Sequence, residues 1–350
     1  MRGEARRWAA AAALVGLLAS ACGGGSTPGA AKALGSTGPP FVPAGTMLID
    51  TGGFAQQVVE FPLPKGPRRS FGQFFWGSRL GTAWGPRNAV YLMAAIDIGA
   101  RPETQLFRLN RHTDPTPVGA TLRGGSGFVL EASTAVAWTC ADRVGSVYTS
   151  NLAAPSPTWR RLARGCTAAV SPDGGTIAFA DDHDVWEAPA SGGEATRVLS
   201  LAAVPELTAL GSPGLLTTGD SLVLGPQGLA VSSGSLTTGQ AIVVDTPGRK
   251  PQVVPLGPTS LRWMGWQPGG RLLAFADYIL ASQQTEIRLF DPATGTVQEI
   301  ASSGTYGVAW APTGRVLAIE KSPGTVAFVD PQGDQIGTGQ IPGRPLDWRA

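Results

Sequence analysis

The stretch Ala169-Val170-Ser171-Pro172-Asp173-Gly174-Gly175-Thr176-Ile177-Ala178-Phe179-Ala180 reads as a short apolar strand, a tight turn and a second apolar strand. Proline presets the turn, aspartate bonds its own backbone, and glycine takes the conformation that other residues avoid. A third strand follows over residues 184–188 and a fourth over 195–199. The unit then returns. Trp266-Gln267-Pro268-Gly269-Gly270 leads into an apolar run over 271–275, with another strand at 286–291. Trp310-Ala311-Pro312-Thr313-Gly314 leads into 315–319, with another at 325–330. Weaker copies start at Trp84-Gly85-Pro86 and Gly225-Pro226-Gln227-Gly228, and a degenerate one covers 128–139.

Anchored at the end of the first strand, the copies fall at 84, about 131, 171, 225, 266, 310 and 348, spaced by about 40–54 residues. That period suits a propeller blade, a four-stranded antiparallel sheet that cannot cover both its faces alone and so stacks in a ring. Gly (48) and Pro (29) exceed a fifth of the 350 residues, and no useful helix-period stretch survives between them. The expected fold is all-β, a β-propeller of four-stranded antiparallel blades. Leu346-Asp347-Trp348 looks like a first strand with no blade after it. Residues 45–50 look like a third strand, compared with 324–330, with no first strand before them. The two fragments predict seven blades, the last built from both termini. Six blades is the alternative, because Phe41-Val42 makes a poor second strand.

These segments resemble the WD40-like PD40 repeats of the TolB-type propellers, most closely over residues 171–179, and the resemblance extends over roughly 46–350. It implies the propeller fold. It says little of function, since such domains serve as partner-binding modules, enzyme accessories and lipoproteins alike.

Arg2, Arg6 and Arg7 precede an apolar run over residues 8–18, too short to span a bilayer and typical of a signal-peptide core. Ala19-Ser20-Ala21-Cys22 resembles a lipobox, although Ala19 stands where a branched residue is preferred; it is also an A-x-A cleavage site. Residues 1–21 are expected as a signal peptide, Cys22 as the lipidated residue, and 22–43 as a Gly/Ser/Pro tether reaching roughly 24 Å. Residues 44–350 are the propeller. The chain is therefore expected outside the cytoplasm, on the membrane through its lipid; the alternative is a soluble secreted or periplasmic protein.

The formal charge is +2, and Arg2, Arg6 and Arg7 against Glu4 account for it, leaving the exported part near neutral. No basic run offers phosphate contacts, so nucleic acid is not expected as a partner. Nor is there a basic cluster beside the tether, so membrane contact is expected from the lipid alone. No serine has Gly at both −2 and +2, and no CxxC, HExxH or P-loop is present. No catalytic residue, metal or cofactor is assigned.

The second strand of five blades ends in an acid: Asp97, Asp142, Asp181, Asp277 and Glu320, with Ser232 and Ser233 in a sixth. On one rim, together with Asp182 and His183, these acids would attract a cation or a basic partner; otherwise they are solvated turn formers. His112 reads as a solvated loop residue. Trp84, Trp266, Trp310 and Trp348 end first strands, to pack between blades or to stack on a ligand. The insertion over residues 201–219 reads as a contact surface. Cys140 ends a second strand and Cys166 starts the next blade's first strand, so both sit on one rim within reach of a disulfide; two buried free thiols are the alternative. The expected role is a non-catalytic binding platform for a protein or cell-envelope component. The alternatives are a lyase or hydrolase working at the central channel and a small-ligand sensor.

Overall fold

The computed structural model describes residues 42–350, apart from 52–55, 65, 75–78, 97–102, 112, 142–143, 182, 210–221, 236–238 and 304–306. Cys22, Asp97, His112, Asp142 and Asp182 lie outside the described residues.

Three strands come first: β1 (Gly45–Asp50), β2 (Gln56–Leu63) and β3 (Arg69–Phe74). Blade 1 is β4 (Arg79–Trp84), β5 (Val90–Ala95), β6 (Glu103–Leu109) and β7 (Thr116–Arg123). Blade 2 is β8 (Gly125–Glu131), β9 (Thr134–Ala141), β10 (Val144–Asn151) and β11 (Arg160–Arg164). Blade 3 is β12 (Thr167–Val170), β13 (Thr176–Ala180), β14 (Asp184–Pro189) and β15 (Thr196–Ser200). Blade 4 is β16 (Leu222–Gly225), β17 (Gly228–Ser235), β18 (Gly239–Asp245) and β19 (Gln252–Gly257). Blade 5 is β20 (Thr259–Trp266), β21 (Leu273–Ile279), β22 (Gln284–Asp291) and β23 (Thr296–Ser303). Blade 6 is β24 (Val308–Trp310), β25 (Leu317–Ser322), β26 (Thr325–Val329) and β27 (Gln335–Gln340). The last strand, β28 (Arg344–Arg349), pairs antiparallel with β1, and the order β28-β1-β2-β3 is blade 7.

The chain is thus a seven-bladed β-propeller closed by both termini. The six-blade alternative falls. One detail of the reading changes: residues 45–50 are the second strand of the closing blade, not the third, and β2 and β3 complete it. The confusion has a physical cause. Second and third strands are both covered on two faces by neighbouring blades, so both appear as unbroken apolar runs.

Burial follows the stacking. First strands lie beside one another around the axis, and second and third strands are almost wholly covered, as in the buried β5. Fourth strands such as β7 and β23 face water. Among the described residues the buried apolar side chains form seven clusters, one at each interface between blades. The described start of the insertion after β15, residues 201–209, joins this core: Leu201 and Leu207 are fully buried, and Val204 nearly so, between blades 3 and 4.

The Pro-Asp-Gly turns lock neighbouring blades as well as turning the chain. Gly174, at φ 74°, closes the turn with a bond from its N–H to the Ser171 carbonyl (2.7 Å). The Thr134 hydroxyl of blade 2 donates to the Gly174 carbonyl (2.8 Å). Gln267 of blade 5 likewise donates to the Gly314 carbonyl of blade 6 (2.7 Å). These turns define a lower rim. The loops between second and third strands, and those entering each first strand, define the upper rim.

Candidate functional site

On the upper rim Cys140 and Cys166 are joined, with Cα atoms 4.9 Å apart. The bond runs from the second strand of blade 2 to the start of the first strand of blade 3. Glycines let the chains approach there. Gly145 faces Cys140 across the sheet, and a Cβ at Gly145 would meet the Thr139 carbonyl at 2.0 Å and the Gly165 carbonyl at 2.4 Å. The neighbouring loop is organised by Asp181, whose carboxylate accepts the backbone N–H groups of His183 (3.1 Å) and Asp184 (2.9 Å). That is the turn-forming role of aspartate. His183 is exposed, and its carbonyl accepts from Leu201 N–H (2.7 Å).

Asp277 and Glu320, by contrast, are not on the surface of that rim. Asp277 is 0 % exposed and Glu320 only 6 %. They also point different ways. Backbone pairing makes Ala276 the equivalent of Glu320, so Asp277 faces blade 4 while Glu320 faces blade 7. Asp50, at the end of β1, is the counterpart of Glu320 in the closing blade and is equally buried. It was missed because β1 was taken for a third strand. Arg288 comes within 3.5 Å of Asp277 and also pairs with Glu286. Burial pushes the Asp277 carboxyl up to about 6; Arg288 opposes the shift, Glu286 adds to it, and the Thr259 hydroxyl opposes it. Ser232 and Ser233 are fully buried at the same level.

The aligned tryptophans pack between blades. Trp266, Trp310 and Trp348 are buried, and the last two satisfy their indole N–H on the Gly265 and Ala44 carbonyls (3.1 and 3.0 Å). Trp84 differs. It is half-buried, its indole N–H has no acceptor, and the Arg349 guanidinium lies 3.5 Å from its ring centre.

A cleft of about 300 Å³ opens on the lower rim, between blades 7 and 1. Its lining includes Glu60, Phe71, Arg87, Asn88, Arg108 and Arg111. Glu60 is 3 % exposed and pairs with Arg111 (3.2 Å) and Arg69 (3.8 Å). Arg87 and Asn88 hold left-handed backbone, at φ 56° and 60°, which non-glycine residues seldom adopt outside constrained sites. Burial lowers the Arg349 guanidinium from its ordinary value, while Glu60 and Asp347 oppose the shift and Arg111 adds to it. Toward the axis, the Asp347 carboxylate accepts the N–H of Trp84 (3.3 Å) and of Trp348 (2.7 Å). Across β4 from it, the Glu131 carboxyl is pushed up, chiefly by the surrounding protein and then by Asp347. Glu131 is nonetheless exposed at the end of β8, so that shift is a direction only.

Among the described residues no group of three or more His, Cys, Asp or Glu is arranged to hold a metal ion, and no helix is long and apolar enough to cross a membrane.

The strand order and rims define a closed seven-bladed propeller. No family model matches the chain, and no curated protein is detectably similar in sequence. Solved structures share the fold. A candidate 6-phosphogluconolactonase from Bacteroides fragilis superposes with TM-score 0.54 at 12% identity, covering 87% of this chain and 96% of its own. Another, from Bacteroides uniformis, gives 0.51 at 13%, covering 86% and 97%. TolB from Acinetobacter baumannii gives 0.49 at 13%, covering 87% of this chain and 64% of its own. At these identities the likeness is one of fold.

Proposed function

We propose that this chain is a TolB-type, PD40-repeat propeller that is exported, held to a membrane by an acylated Cys22 behind a signal peptide (1–21) and a tether (22–43), and used as a non-catalytic platform for a protein or cell-envelope partner. The observation that carries this reading is the Cys140–Cys166 bond. Disulfides persist in oxidising compartments. This one crosses from blade to blade on a rim and stiffens the platform beside the exposed His183 loop. A rim held rigid before contact loses less entropy when a partner docks. The repeat motif over residues 171–179 supports the family, and the Arg2-to-Cys22 segment supports the anchor.

The test is crosslinking and capture from the native cells, comparing the wild-type chain with Cys22→Ser and with a His183→Ala, Asp184→Asn double variant. The expected result is one recurrent envelope partner, membrane fractionation lost in Cys22→Ser, and capture weakened by the rim variant. An unmodified Cys22 by intact mass refutes the anchor. Turnover of a glycan or peptide without any captured partner refutes the platform.

A further inference from the structure

The lower rim gathers a basic surface that no local stretch of sequence contains. Arg87, Arg108 and Arg111 of blade 1 line the cleft between blades 7 and 1, and Arg69 of β3 reaches its edge through Glu60. Against them stand Glu60 in the lining and Asp114 in the turn that carries Arg111, so the surface keeps a smaller excess of positive charge. Arg111 and Arg69 are committed to Glu60. Arg87 and Arg108 are exposed at the mouth, with no ion pair among the described residues. The cleft is about 300 Å³, the lower end of small-ligand sites.

We propose that this cleft binds a phosphate oxyanion, and that the source it meets is the headgroup of an anionic lipid. Guanidinium groups suit phosphate because their forked N–H donors match two oxygens at once. Position selects the source. The chain enters the propeller at Gly45 on this same rim, where the Trp348 indole bonds the Ala44 carbonyl and the Gly45 backbone abuts the Arg349 carbonyl. Under the anchored reading, the arginines therefore share a rim with the point where the chain joins the propeller. This choice of source rests on the anchored reading given above; the oxyanion site itself does not. It also replaces the expectation that membrane contact comes from the lipid alone.

The exported chain carrying Cys22→Ser is free of any acyl group, so failure of vesicle binding and failure of acylation are read separately. It would be sedimented with vesicles of phosphatidylcholine containing phosphatidylglycerol, and with phosphatidylcholine alone, and titrated calorimetrically with inorganic phosphate. The expected outcome is salt-sensitive binding to the anionic vesicles only, competed by phosphate. Arg87→Gln with Arg108→Gln should weaken it about thirtyfold, from roughly 1 kcal/mol per basic residue near such a surface. Arg197→Gln on blade 3 serves as a fold-neutral control. Equal binding to both vesicle types, or an unchanged double variant with an unchanged melt, overturns the proposal. Phosphate binding that the double variant loses, without vesicle binding, upholds the oxyanion site and refutes the headgroup.

Discussion

Replacing Asp277 by Asn should make the propeller more stable at neutral pH and leave it unchanged in mild acid. Asp277 is fully buried, and the Thr259 hydroxyl lies near its carboxylate without forming a well-aligned hydrogen bond. Its nearest cation, Arg288 at 3.5 Å, also serves Glu286. The carboxyl therefore holds its proton more tightly in the folded chain, at about 6 instead of 3.8. Below pH 4 both folded and unfolded forms are protonated and the residue is neutral to stability. Between about pH 4 and 6 the unfolded chain ionises first, so stability falls as pH rises. Above 6 the whole penalty is present, roughly 3 kcal/mol at 1.36 kcal/mol per tenfold step. Asn keeps the shape and cannot ionise, but it gives up the attraction of Arg288, so a net gain of about 1–3 kcal/mol is expected at pH 7.5. Urea unfolding of both proteins across pH 4–7.5 measures the difference directly. Profiles that stay parallel over that range would show that Asp277 does not change its charge there, and would refute the burial account.

Three further outcomes follow from the described contacts. Cys140→Ala with Cys166→Ala should lower stability by about 3–4 kcal/mol, the loop-closure value for a separation of 26 residues; equal unfolding midpoints with and without reductant in the wild type would refute it. Deleting residues 344–350 removes β28, exposes the edge of β1 and takes Trp348 from the core, a side chain worth about 2–3 kcal/mol, so a large fall in melting temperature is expected and an unchanged melt would refute the closure. Gly45→Ala places a Cβ 2.2 Å from the Arg349 carbonyl at φ 109°, whereas Gly239→Ala has a similar φ of 105° and open space; the first should be the more destabilising, and equal midpoints in urea would contradict the tight clasp between the chain ends.

The blades were legible because each repeats one chemical sentence: an apolar strand, a Pro/Gly turn with Asp or a polar residue, and a second apolar strand. The residues at 171–179, 267–275 and 311–319 carry it through three blades, and the hydrogen bonds closing their turns are equivalent. Closure by Leu346-Asp347-Trp348 was legible for the same reason. Strand rank was not, since Met47, Leu48 and Ile49 are wholly buried like the third-strand residues Val326, Ala327 and Phe328. The acid series misled because it was counted to the nearest residue, and in a strand one residue exchanges the two faces. Asp277 and Glu320 show it, lying in different interfaces. The arginines of the lower rim carried no readable signal at all, because their proximity is created by the stacking of blade 1 on β2 and β3.

The docking of β28 beside β1 ties folding to the arrival of that strand. The bond from the Trp348 indole to the Ala44 carbonyl joins residues 304 apart, and β1, β2 and β3 wait for a partner strand made last. A chain that stops short, by nonsense codon or by proteolysis, keeps six blades and an open flank of unpaired backbone on β1. The finished ring thus hangs on one late strand: only a polypeptide that includes residues 344–349 can hide that edge and assemble the rim on which β28 and β1 meet.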